Sequence, residues 1–237
     1  VRLIAENQQH KIDIHQVKAF MNDANLNNKL KSGNSIGCFY IESPAMRQLL
    51  TKLGCENYLT LVAASSIIRP GVAQSGMMKA YIQNFHRPEA VEYLHPVMKE
   101  QLEDTFGVMV YQEDVIKICI HYAGMDGTDA DILRRGMSGK YRSKIEFNKL
   151  VEKFHEGAKA LGRSETITAE VWRQVFSFAG YSFSKAHSAS FAVESYQSLH
   201  LKNYYPREFM VAVLNNYGGF YTRWLYVHEL QKAGAKV

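Results

Sequence analysis

The chain has 237 residues, 46% of them hydrophobic, enough to bury a substantial core as one large or two modest domains without disulfide or metal staples. Twenty-eight Lys and Arg against 23 Asp and Glu give a formal charge of +5, a mild lean toward an anionic partner. Charged residues at 22% and aromatics at 12% exclude disordered, collagen-like and mucin-like classes. The three cysteines, Cys38, Cys55 and Cys119, form no CxxC pair, which argues against a disulfide framework or a structural zinc site and for reduced, cytosolic thiols. Apolar runs such as 61–68 and 106–111 fall far short of the roughly 20 residues of a membrane span, and no signal peptide opens the chain, so no membrane role is expected and a cytoplasmic location is. Opening at Val1 and stopping at Ala235-Lys236-Val237, the sequence is expected to be a piece of something longer.

In chain order, Ile14, Val17, Phe20 and Met21 predict one helix over 13–31, ended at Ser32-Gly33-Asn34. Residues 36–41 are short, apolar and aromatic and read as a strand. Ser43-Pro44 starts a helix over 44–53, followed by another over 56–68 that Arg69-Pro70-Gly71 stops. Helices are predicted over 75–86 and 96–104, a short strand over 108–110, and helices over 111–123 and 128–137. The clearest periodicity, Phe147, Leu150, Val151, Phe154, Ala158 and Leu161, predicts a helix over 143–161 with one buried face. Helices over 168–179, 184–204, 206–216 and 221–233 complete a mainly α chain with a short β segment near its N-terminus.

The charge is local. From Arg134 to Arg163 nine basic and three acidic residues give +6, so the remainder sums to about −1. On the helix over 128–137 an apolar face of Ile132, Leu133 and Met137 leaves Asp131, Arg134, Arg135 and Ser138 opposite, so the two arginines are expected to point out together. The basic loop Ser138-Gly139-Lys140-Tyr141-Arg142-Ser143-Lys144 can bring N–H and cationic groups to phosphate oxygens, which suits a polyanion or a nucleoside triphosphate. The plainer reading is a solvated face: Asp131 and Arg135 are an i, i+4 pair, and Lys149, Glu152, Lys153 and Glu156 alternate as salt-bridged helices do. The solvated reading is preferred for 149–159, the anion-binding reading for 134–144.

A second candidate is the turn from Gly180 to Ser188, which leads into a helix whose N-terminus, with Lys185 and His187, makes a workable anion site. Equally, Ser184 caps the helix, Phe183 is core and His187 makes one structural hydrogen bond. Tyr181, beside these basic elements, has a ring able to stack on a base. Asp129-Ala130-Asp131 reads as helix capping rather than a metal site, and the histidines have no metal-ligand spacing. Adjacent Glu113 and Asp114 point apart on a helix, so a surface role is expected.

Six ordered blocks carry a resemblance: 37–46 (GCFYIESPAM), 69–71 (RPG), 107–113 (GVMVYQE), 131–137 (DILRRGM), 178–187 (FAGYSFSKAH) and 205–210 (YPREFM). From about Gly33 onward the chain resembles the C-family bacterial replicative DNA polymerases, those of the DNA polymerase III alpha subunit. The resemblance implies a compact multi-helix fingers domain over 44–217, the C-terminal edge of the palm or a connector over 1–43, and the start of the following helical segment over 218–237. It also implies a template-directed nucleotidyltransferase acting in DNA replication, with primer-template DNA and dNTP as partners alongside the sliding clamp and other replisome subunits. The family's catalytic aspartates lie in the palm, where they hold magnesium, and no residue here matches them, so no catalytic or metal residue is assigned and this piece alone is expected to be inactive.

Carried over residue by residue, Arg134 and Arg135 match the paired arginines that meet the triphosphate. Lys185 and His187 match the lysine and histidine near the nucleotide, and Lys140 joins them as nucleotide-binding. Arg69, Arg142, Lys144 and Tyr181 are the nucleic-acid-binding candidates, Arg69 being structural or DNA-facing. The chain departs from the family at 138–142, where three lysines are usual, at Ser182 and Ser184, and at Val72-Ala73. The alternatives are a non-catalytic helical module that binds nucleic-acid backbone, or a helical scaffold for an acidic protein.

Overall fold

A computed structural model describes residues 1–69, 76–137, 144–179 and 183–236. Its fourteen described helices are α1 (Arg2–Asn7), α2 (Val17–Met21), α3 (Ala24–Lys31), α4 (Pro44–Leu53), α5 (Tyr58–Ile67), α6 (Met77–His86), α7 (Pro96–Leu102), α8 (Gln112–Ala123), α9 (Gly127–Arg135), α10 (Lys144–Ala160), α11 (Glu165–Ala179), α12 (Lys185–Tyr204), α13 (Pro206–Asn215) and α14 (Arg223–Lys232). They form two compact units, one of residues 1–65 with everything from Ser188 onward, the other of residues 66–187. Among the described residues no helix is long and apolar enough to cross a membrane.

In the first unit the local rules act as the sequence suggests. Ser43 caps α4 by accepting the Met46 N–H, Pro44 takes the first helical position, and Gly54 closes the helix at φ +57°. Met46, Leu49, Leu50 and Leu53 then bury one stripe, against which α3 packs with Leu26 and Leu30. The expected single helix over 13–31 is two, because the Asp23 carboxylate accepts the Asn25 and Leu26 N–H groups and starts a new helix at Ala24.

The strand expected over 36–41 does not form. Gly37 and Tyr40 take φ +83° and +62°, and Cys38 N–H bonds the Ser35 carbonyl, giving tight turns in place of extended chain. The Ser35 hydroxyl donates to the Ile41 carbonyl at 2.6 Å, and buried Lys202 donates to the Ile36 carbonyl, also at 2.6 Å, and to Glu229 at 3.3 Å. Apolar residues such as Cys38 and Ile41 fill the core from a loop rather than a sheet.

The second unit is organised around α8, which touches α7, α9, α10 and α11 and buries Val115, Ile118, Cys119, Tyr122 and Ala123. The Tyr122 hydroxyl pairs with Thr168 of α11 at 3.0 Å. The strand expected over 108–110 is also absent, and the described residues contain one isolated parallel bridge, Tyr111 to Phe183. Cys38, Cys55 and Cys119 are buried and unpaired, and burial pushes each thiol up to about 12.

The close approach of α10 to the end of α8 depends on Gly157, where a Cβ would run into the Ala123 carbonyl oxygen. Alanine gains up to about 1 kcal/mol of intrinsic helix propensity over glycine, yet the clash with backbone is expected to reverse the sign. Gly157→Ala should lower stability by about 1–3 kcal/mol in urea denaturation, and a stabilised variant would contradict this packing.

Candidate functional site

The site is built on the first turn of α8. Asp114, only 3% exposed, accepts the backbone N–H groups of Val110 and Tyr111 with a single oxygen, Oδ2, at 2.9 Å each. Burial pushes its carboxyl above the usual range, opposed by the Tyr111 and Val110 N–H bonds. These bonds turn the chain out of the buried 108–110 segment and set Tyr111, Gln112 and Glu113 in fixed positions. The expectation of a surface role for Glu113-Asp114 is therefore corrected, since helical geometry sends one carboxylate into the core and the other toward α12.

Gln112 reaches two segments. Its backbone N–H donates to the Phe183 carbonyl at 3.0 Å, and its Oε1 accepts Arg134 Nη1 at 2.8 Å. Glu113 accepts the Ser184 hydroxyl on Oε1 and the Lys185 backbone N–H on Oε2, each at 3.0 Å. The N-terminus of α12 is thus occupied by a carboxylate of the chain itself, in place of the open anion site that one reading of the sequence allowed. The Lys185 ammonium lies 5.2 Å from the centre of the Tyr111 ring, the Arg69 guanidinium 3.8 Å from that of Phe183, and the His187 ring meets Phe183 edge-on at 4.4 Å. Arg69 Nε is buried with no hydrogen-bond partner among the described residues.

On α9, capped by Asp126 through the Asp129 N–H, Ala130 and Leu133 are buried. The Asp131 carboxylate is shared: Oδ1 pairs with Arg134 Nη2 at 2.8 Å and Oδ2 with Arg135 Nη2 at 3.0 Å. The two arginines do not point out together. Neighbouring helix positions differ by about 100°, so Arg134 is folded against Gln112 with its side chain 18% exposed, whereas Arg135 is 59% exposed. Both lie in the last turn of α9, where cations face the negative end of the helix dipole.

The first turn of α8 therefore gathers Arg134 and Lys185 directly, Arg135 through the shared Asp131, and Arg69 and His187 through Phe183. Four cations, Arg69, Arg134, Arg135 and Lys185, stand against three carboxylates, Glu113, Asp114 and Asp131, and Lys185 and Arg135 are the exposed ones. Lys144 is exposed at the start of α10 and makes no hydrogen bond or ion pair among the described residues. Lys140, Arg142 and Tyr181 lie outside the described residues. Lys149, Glu152, Lys153, Glu156 and Lys159 face solvent, Lys153 pairing with Asp126 at 3.1 Å and with Asp129, as the solvated reading expects. Among the described residues no group of three His, Cys, Asp or Glu could hold a metal ion.

A family model for the bacterial DNA polymerase III alpha subunit finger domain matches residues 1–162. The chain belongs to this family. It is 35% identical over 218 residues to a DNA polymerase III subunit alpha of Campylobacter jejuni, which covers 92% of the chain and 18% of the relative. It is 34% identical over 207 residues to that of Aquifex aeolicus, covering 87% and 18%. An error-prone DNA polymerase of Vibrio parahaemolyticus is 33% identical over all 237 residues, 23% of that protein. The chain spans about a fifth of the length of these curated relatives.

In this finger-domain chain the residues that position the cations, Gln112, Glu113 and Asp114, were given no site role by the sequence. One signal was available: an aspartate three residues after Tyr111, where an N3 carboxylate reaches back to the N-cap backbone. Asp114→Ala leaves two buried N–H groups unbonded and should cost about 1–3 kcal/mol. Asp114→Asn keeps an acceptor oxygen and should cost less. Because folding raises the Asp114 pKa, its contribution is favourable below the ordinary aspartate value and is lost as pH rises through the raised one. The asparagine variant should therefore gain on the parent with rising pH across that window, as followed by thermal midpoints at a series of pH values. A gap between parent and asparagine variant that stays constant or widens as pH rises would contradict the assignment.

Proposed function

We propose that this chain is the part of a template-directed DNA polymerase that meets the incoming nucleotide and the template, with fingers over 44–217, the palm edge or a connector over 1–43 and the next helical segment over 218–237. The observation that supports this reading most is the joint placement of Arg134 and Lys185 by adjacent residues of one helical turn, Gln112 and Glu113. Arg135 and Lys185, both exposed, are the groups assigned to phosphate oxygens, and Arg134, tied to Asp131 and Gln112, holds the arginine pair in register. His187 and Lys140 complete the nucleotide-facing set. Arg69, Arg142, Lys144 and Tyr181 are assigned to nucleic acid.

A fork of guanidinium donors fixed before the ligand arrives loses less side-chain freedom on binding, so its interaction goes into orientation of the phosphates. The chemistry of phosphoryl transfer itself is assigned to the intact enzyme, where magnesium is held by residues outside this chain. This chain alone is accordingly read as inactive. The sliding clamp, other replisome subunits and a cytoplasmic location belong to the same proposal.

In the intact polymerase, Arg135→Ala and Arg134→Ala should each reduce kcat/KM for dNTP by about 10- to 100-fold, the loss of one charge-assisted phosphate contact or of the residue that positions it. Lys153→Ala, on the solvated face, should change it by about twofold or less. Steady-state primer extension distinguishes these outcomes, and equal effects at all three positions would refute the assignment.

A further inference from the structure

The loop between α13 and α14, together with the first turn of α14, carries a feature that the nucleotide-facing assignment leaves unused. Tyr217, Phe220 and Trp224 are 77%, 64% and 73% exposed, three large rings held out to solvent within eight residues. Their backbone is pinned. Glu42 accepts the Phe220 N–H at 2.6 Å and the Tyr226 hydroxyl at 2.8 Å, and that hydroxyl accepts the Tyr221 N–H at 3.0 Å. Arg47 donates to the Tyr221 hydroxyl at 3.3 Å. Gly219, at φ +135°, passes so close to Tyr226 that any Cβ would collide with its hydroxyl. Rings exposed on a fixed loop keep their apolar surface in water in every conformation of that loop, which marks a contact surface.

The chemistry of the patch selects its occupant. Arg223 lies over the Tyr217 ring, 4.6 Å from its centre, so a cation sits on the aromatic surface itself. The twenty residues 209–228 contain no Asp or Glu. Both Glu42 oxygens are hydrogen-bonded, and Glu229 pairs with Lys202 and Lys232. Phe220, Tyr217 and Trp224 make no ring contact with one another, so each offers a face to a separate planar group. A mainly apolar cavity of about 410 Å³, lined by Gly218, Gly219, Phe39 and Val213, opens beside the loop.

We propose that Tyr217, Phe220 and Trp224 form a stacking platform for the bases of single-stranded nucleic acid, with Arg223 contacting its backbone. Spaced rings with an adjoining cation are what sequence-tolerant binding of unpaired bases requires. Duplex DNA, whose bases are already stacked, offers the rings nothing. This platform belongs to the unit that contains Glu42, and Arg134, Arg135 and Lys185 belong to the other, so the two assignments stand or fall separately.

The chain has two tryptophans, and Trp172 is packed against Phe154 with ring centres 5.0 Å apart. Trp172→Phe therefore leaves Trp224 as the sole tryptophan of the chain. Titration with a 16-residue oligothymidylate should quench it, with binding that weakens as salt rises. Trp224→Ala and Phe220→Ala, followed by a labelled oligonucleotide, should each weaken binding by about 5- to 100-fold. Trp224→Phe and Phe220→Tyr should retain most of the affinity, which separates stacking from folding, and Arg134→Ala should leave the Trp224 quench unchanged. Unaltered affinity in both alanine variants, or competition by duplex DNA equal to that by the single strand, would overturn the proposal and reassign the rings to a protein partner or the contact to charge alone.

Discussion

A single carboxylate oxygen governs the arrangement of the second unit. Asp114 Oδ2 takes the N–H groups of Val110 and Tyr111, and by doing so ends a buried irregular segment and begins α8 within one residue. An ionised carboxylate in that setting is unfavourable unless hydrogen-bonded, and the two N–H groups would be equally unfavourable without it. Each side of the interaction therefore requires the other. The turn it fixes presents Gln112 to α9 and Glu113 to α12, while the rest of α8 buries Val115, Ile118, Cys119 and Tyr122 in the core.

Electrostatics then follow from how the carboxylates are distributed. Glu113 is consumed by the N-terminus of α12, and Asp131 is divided between two guanidinium groups. Asp131 is thus shared between a largely covered and an exposed arginine, and Glu113 takes a hydroxyl and a backbone N–H rather than an ammonium group. On α10 the charges face solvent and pair locally, as Lys153 does with Asp126. The basic window of the sequence is thus two surfaces of different kind, one arranged by tertiary contacts and one merely solvated.

Most of the helical framework was legible in the sequence, because caps and apolar stripes are local. Ser43-Pro44 and Gly54 bound α4, and the i, i+3, i+4 pattern of Leu150, Phe154 and Ala158 marks the buried face of α10. The two strands failed for the same physical reason. Short apolar runs around Gly37 and at 108–110 record burial, and burial alone does not distinguish extended chain from a packed loop. The helical break at Asp23 was an N-cap hidden inside a continuous apolar periodicity. At the candidate site, cation identity could be read from composition and from the resemblance, but which of the two arginines is held back depends on Gln112, 22 residues away, and no local pattern encodes that.

The central claim is that the first turn of α8 holds the two cation-bearing segments in place together. Amide hydrogen exchange in a Gln112→Ala/Glu113→Ala double variant tests it most directly, since the Lys185 N–H is itself a donor to Glu113. Protection is predicted to fall at residues 184–187 and at 131–135 alike, with α13 and α14 unchanged. Undiminished protection in both segments would contradict the account.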